Sequence, residues 1–91
     1  MRLSDVRRLC LRRQLRVSFR VVNGPEYCIN EHGATTLNGE AGVAGLEELF
    51  EAATEFRLTL VRSGRSRRIS RDALERMTMQ TIRKTEEVNT A

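Results

Sequence analysis

At 91 residues the chain has room for one domain and one modest core, and 40% hydrophobic with 31% charged residues is a globular rather than a disordered balance. No run of about 18 apolar residues is present, which excludes a membrane-spanning helix, and no apolar leader stretch opens the chain, so a cytoplasmic location is expected. The net charge of +4 rests on fifteen Arg and a single Lys, a bias that a GC-rich, bacterial-like genome or a need for bidentate anion binding would each produce.

Residues 4–13 read as a short helix. Ser4 is placed to cap it, Asp5 sits in the first turn, and Leu3, Val6, Leu9 and Cys10 form an apolar stripe. The plain expectation is packing on a sheet of the same chain. An Arg-rich helix of this kind also suits an anionic membrane surface or a transit peptide, but it runs directly into a strand pattern.

Leu15–Val22 alternates Leu15, Val17, Phe19 and Val21 with Arg16, Ser18, Arg20 and Val22, the period-2 signature of a half-buried strand. Asn23-Gly24-Pro25 turns the chain. Glu26–Asn30 is a second strand, and Glu31-His32-Gly33 a second turn with Gly33 free to take a positive φ. Ala34–Leu37 completes a three-strand meander. After a glycine-bearing loop, Leu46, Leu49, Phe50 and Ala53 mark a helix over 46–54. Glu55–Val61 is a fourth strand with Phe56, Leu58 and Leu60 on one side. Ser63-Gly64-Arg65-Ser66 is a hairpin loop, and 67–69 a fifth strand. Ser70 is placed to cap a last helix whose inward side carries Leu74, Met77, Thr81 and Ile82.

The order α-β-β-β-α-β-β-α predicts an α+β two-layer sandwich, a mainly antiparallel sheet of about five short strands with the helices on one face. Residues 1–84 form the single domain and 85–91 a polar, disordered tail. With three Phe, one Tyr and no Trp, the core is expected to be built from Leu, Val and Ile.

Charge is laid out in blocks. Residues 1–22 carry seven Arg and one acid, 23–56 seven Glu and no Lys or Arg, and 57–84 eight Arg, one Lys and two acids. The acidic middle either neutralises the basic ends within one chain or meets them on another copy.

The motifs argue against chemistry. The loop from Gly39 to Gly45 lies between strand and helix, as phosphate loops do, but its spacing fits neither common fingerprint and Glu47 and Glu48 would repel a phosphate. Cys28 and His32 are four apart, with Cys10 as a third ligand at best, weak candidates for a metal site that wants four. The same pair as nucleophile and base has no orienting group beside it. The plainer reading is a turn histidine and two free thiols in a reducing compartment. Neither an enzyme, a cofactor nor a small-molecule ligand is expected.

The stronger lead is the outward sheet face. If Phe19 and Leu58 turn to the helices, Arg16, Arg20, Arg57 and Arg68 turn away together, with Ser18 and Thr59 among them, and Val22, Cys28, Leu37 and Val61 add scattered aliphatic surface. Such a face can be merely solvated. It also suits a protein partner or self-association, because Arg is enriched at interfaces, and protein interaction is the function expected. Phosphate-backbone contact with nucleic acid is the alternative; four such contacts would give a salt slope of about −3 to −4. Sheet readers of single strands use exposed aromatics, and none falls on this face.

Overall fold

The computed structural model describes the backbone of residues 1–40 and 42–90 and the side chains of 1–40 and 42–83. The elements are α1 (Leu3–Arg13), β1 (Leu15–Arg20), β2 (Glu26–Ile29), β3 (Thr35–Leu37), α2 (Leu46–Ala52), β4 (Glu55–Leu60), β5 (Ser66–Ile69) and α3 (Arg71–Thr90). All five strands form one antiparallel sheet in the order β3-β2-β1-β4-β5, with the helices on one face. The architecture is the α+β arrangement read from the alternation and the helical stripes.

The helix starts follow local chemistry. Ser4 does not cap α1, because the helix already begins at Leu3. The capping contact comes instead from Asp5, whose carboxylate accepts the backbone N–H of Arg2 at 3.1 Å. Gln14 then takes a left-handed conformation and its N–H returns to the Cys10 carbonyl, ending the helix directly before β1. Ser70 does cap α3: its Oγ accepts the Ala73 N–H at 3.1 Å. Gly33, with φ +79°, makes the β2–β3 turn, and a Cβ there would stand 3.2 Å from Leu11 Cδ1, so a side chain is opposed by both backbone and packing.

Strict alternation sends Leu15, Val17 and Phe19 into the core, where register places Val17 between Ile29 and Leu58, and Phe19 between Tyr27 and Phe56. The aromatic residues are few, but they form the middle of the core, contrary to the expectation of an all-aliphatic one. Phe19 stacks on Tyr27 and meets the edge of Phe50, each at 5.3 Å, and Phe50 meets Phe56 at 5.9 Å. Leu37, expected on the outward face, pairs with Tyr27 and packs against this core. The β2–β3 turn sets that register, so the side Leu37 takes is decided by the turn and not by the strand's own pattern.

Arg71 joins the two helices at one end of this layer. One terminal guanidinium nitrogen donates to the carbonyls of Phe50, Glu51 and Ala53 at 2.8–2.9 Å, closing the C-terminus of α2, while the guanidinium carbon lies 5.0 Å from the Phe56 ring centre. From there α3 runs along α1 rather than over the β4–β5 hairpin. The Met1 ammonium lies 3.8 Å from the Glu75 carboxylate, and six residues on, Arg13 Nε donates to Thr81 Oγ1 at 3.2 Å. Thr78 and Thr81, buried, satisfy their hydroxyls on the Leu74 and Met77 carbonyls. The range of α3 includes most of the stretch expected as a polar tail, 85–91; side chains from 84 onward, and Ala91, lie outside the described residues.

Candidate functional site

The second face of the sheet carries no helix. Register orders its side chains into rows. One row runs Thr36, Cys28, Ser18, Arg57, Arg68; a second runs Glu26, Arg20, Glu55; a third contains Arg16, Thr59 and Ser66. Arg16, Arg20, Arg57 and Arg68 therefore share one face, exposed, as the alternation requires.

The four differ in what holds them. Arg16 and Glu31 form a two-pronged pair, Nε to Oε2 at 2.7 Å and a terminal nitrogen to Oε1 at 3.1 Å. That hydrogen bond is the main reason the Glu31 carboxyl is pulled down to about 2, and it raises the Arg16 guanidinium in turn. Arg20 binds its cross-strand partner Glu55 through Nε at 2.8 Å and through a terminal nitrogen. Glu55 is lowered first by that bond, and also by the nearby charges of Arg68 and Arg57.

Arg57 and Arg68 stand directly opposite each other on β4 and β5. Neither forms a hydrogen bond or ion pair with another described side chain. Like charges facing across a ladder are unfavourable, and both guanidiniums are exposed to solvent. With Ser18, Arg20, Glu26 and Glu55 the two guanidiniums border a shallow recess of about 120 Å3. Three cations there meet two carboxylates, and one of those carboxylates is already taken by Arg20.

The face carries no aromatic side chain among the described residues, because Phe19, Tyr27 and Phe56 all point into the core. Its polar neighbours include a Thr59–Ser66 hydroxyl contact at 3.2 Å.

Cys28 lies on this face and is half-buried, while Cys10 is buried in the helical layer with its Sγ 3.8 Å from the Ile29 carbonyl, so the sheet separates two free thiols. Burial pushes Cys10 up to about 12 and raises Cys28 as well, which disfavours the thiolate form of each. His32 is 79% exposed at the tip of its turn, its backbone N–H held by Asn30 Oδ1 at 2.9 Å. Among the described residues no group of three or more His, Cys, Asp or Glu is placed to hold a metal ion, and no helix is long and apolar enough to cross a membrane.

Glu31 and Glu55 are the counter-charges of Arg16 and Arg20, which the outward alternation alone does not reveal. Glu55 is visible in hindsight, since an antiparallel β1–β4 pairing with Phe19 opposite Phe56 brings Arg20 opposite Glu55. Glu31 lies in a turn, and no strand pattern announces it.

No protein-family model, curated protein sequence or solved structure matches this chain.

Proposed function

We propose that the chain is a small non-catalytic protein-interaction module that takes a carboxylate-bearing segment of a partner on the Arg57–Arg68 side of its open sheet face. The observation that carries this reading is the cross-strand pair of arginines without a carboxylate of their own, beside two arginines that do have one. A guanidinium pair presents two planar forks to a carboxylate, which is worth more than a single point charge. Arg16 and Arg20, already engaged, hold the rim of the surface. A second copy of the chain is one source of such acids: Glu47, Glu48 and Glu51 of α2 are exposed and meet no cation among the described residues. A cytoplasmic location accompanies this reading, since Cys10 and Cys28 are free thiols.

Nucleic-acid binding is the second reading, favoured by the further unpaired cations Arg62 and Arg65 in the β4–β5 hairpin loop. It is disfavoured by a face that offers no ring for base stacking.

The test is fluorescence anisotropy of a labelled glutamate-rich peptide against the full chain at about 50 and 200 mM salt, beside single- and double-stranded oligonucleotides of equal length. The expected result is salt-sensitive peptide binding weakened about tenfold in the R57A/R68A variant, in line with the loss of charge-assisted hydrogen bonds. Oligonucleotide binding that is tighter, and lost in the same variant, would replace the proposal with the second reading. Light scattering at several salt concentrations reads the self-associating form.

A further inference from the structure

The helical layer covers the sheet unevenly. Over Phe19 and Phe56 it is closed by α2 and by Arg71. At the opposite end of the same two strands Leu15 pairs with Leu60; Leu15 is buried, but the described residues leave Leu60 only partly covered. Leu60, which the alternation turns inward, is 47% exposed. Between the hairpin and the α1–α3 pair runs a trench of about 890 Å3 floored by Leu15, Leu58, Leu60 and Met77. Its rim is Arg13, Arg65 and Arg67, and none of these three meets a carboxylate among the described residues. Arg67 is on the trench side because it pairs with Leu58.

We infer that this trench is a docking groove for an amphipathic helix of another protein, one with large aliphatic or aromatic anchors on one side and Asp or Glu flanking them. Leu60 and Met77 supply the accessible apolar surface, above buried Leu15 and Leu58, and the volume lies within the range of about 300–1,000 Å3 that accommodates a few large side chains. Apolar anchors at i, i+3 or i+4 and i+7 are how a helix fills such a strip. The guanidinium rim, which meets no carboxylate among the described residues, selects acidic flanks and rejects basic ones. A symmetric pairing of two copies through this groove would set arginine rim against arginine rim. The acidic α2 of a second copy does not fit either, because its Leu46, Leu49 and Phe50 already pack in its own core. Both points favour a different chain as the occupant. This inference concerns the opposite layer from the Arg57–Arg68 face and does not rest on that reading.

The test is a selection of random 16-residue peptides displayed on phage against the full chain, followed by anisotropy with the enriched peptides. The expected enrichment is apolar residues at helical spacing with acidic flanks. These peptides are expected to bind about tenfold more weakly to L60D and to R65E/R67E, and equally well to R57A/R68A. All changed side chains are exposed, and unchanged melting of each variant shows that it is folded. Binding untouched by L60D, enrichment of basic or non-helical sequences, or no enrichment would overturn the inference. So would binding to phosphatidylglycerol vesicles that is lost in L60D while the peptides are indifferent to it, since that assigns the trench to lipid.

Discussion

β1 and β4 lie side by side, and their two ends have different fates. At one end Phe19 and Phe56 sit under α2, held down by Arg71. At the other, Leu15 and Leu60 carry the same inward alternation, yet Leu60 stays half in water. Period-2 patterning therefore states which side of a sheet a residue takes, and not whether anything covers that side. Coverage depends on where the helices run, and here α3 follows α1 away from the hairpin.

The largest loss of stability is expected at the closed end. Phe50→Ala should remove the ring that links Phe19 to Phe56 and cost about 3–5 kcal/mol, read by urea unfolding. A loss under about 1 kcal/mol would mean the closed end is not the stability centre. Arg71→Met keeps much of the side chain's bulk but strips the donors from three carbonyls and the charge from two rings. It is expected to cost about 2 kcal/mol and to speed hydrogen exchange in α2 specifically. At the open end, Leu60→Ser should stay within about 1 kcal/mol of the parent, since half of that side chain is already hydrated. A cost equal to that of Phe50→Ala would erase the distinction between the two ends.

The smallest effect concerns the outward face. Glu31 titrates lower in the folded chain than in the unfolded one, so the stability it contributes is present above the usual carboxylate range and is lost as pH falls toward about 2. Glu31→Gln should therefore flatten the acid limb of stability between about pH 4.5 and 2, while leaving stability at pH 2 close to the parent's. An unchanged acid limb would show that the Arg16–Glu31 pair is not held in solution.

Much of the architecture is legible in the residues themselves. The alternations of 15–20 and 55–60 set the faces, Ser70 marks the start of α3, and the turn residues around Gly33 close the meander. Three features were not legible, for one shared reason. The side taken by Leu37, the bond of Glu31 to Arg16 and the stitching of α2 by Arg71 all depend on which distant segment arrives opposite, and none leaves a local period. The charge blocks carry no register either. Glu31 and Glu55 of the acidic middle pair with Arg16 and Arg20 of the first basic block, whereas Arg57 and Arg68 of the second form no ion pair among the described residues.

The guanidinium Nε–H resonances report directly on the division between paired and unpaired arginines. Titrating the full chain with a glutamate-rich peptide and following those signals by NMR should shift Arg57 and Arg68 together and leave Arg16, locked on Glu31, in place. Equal movement of Arg16, or a peptide that binds without moving Arg57 and Arg68, would show that the unpaired arginines are not the binding surface.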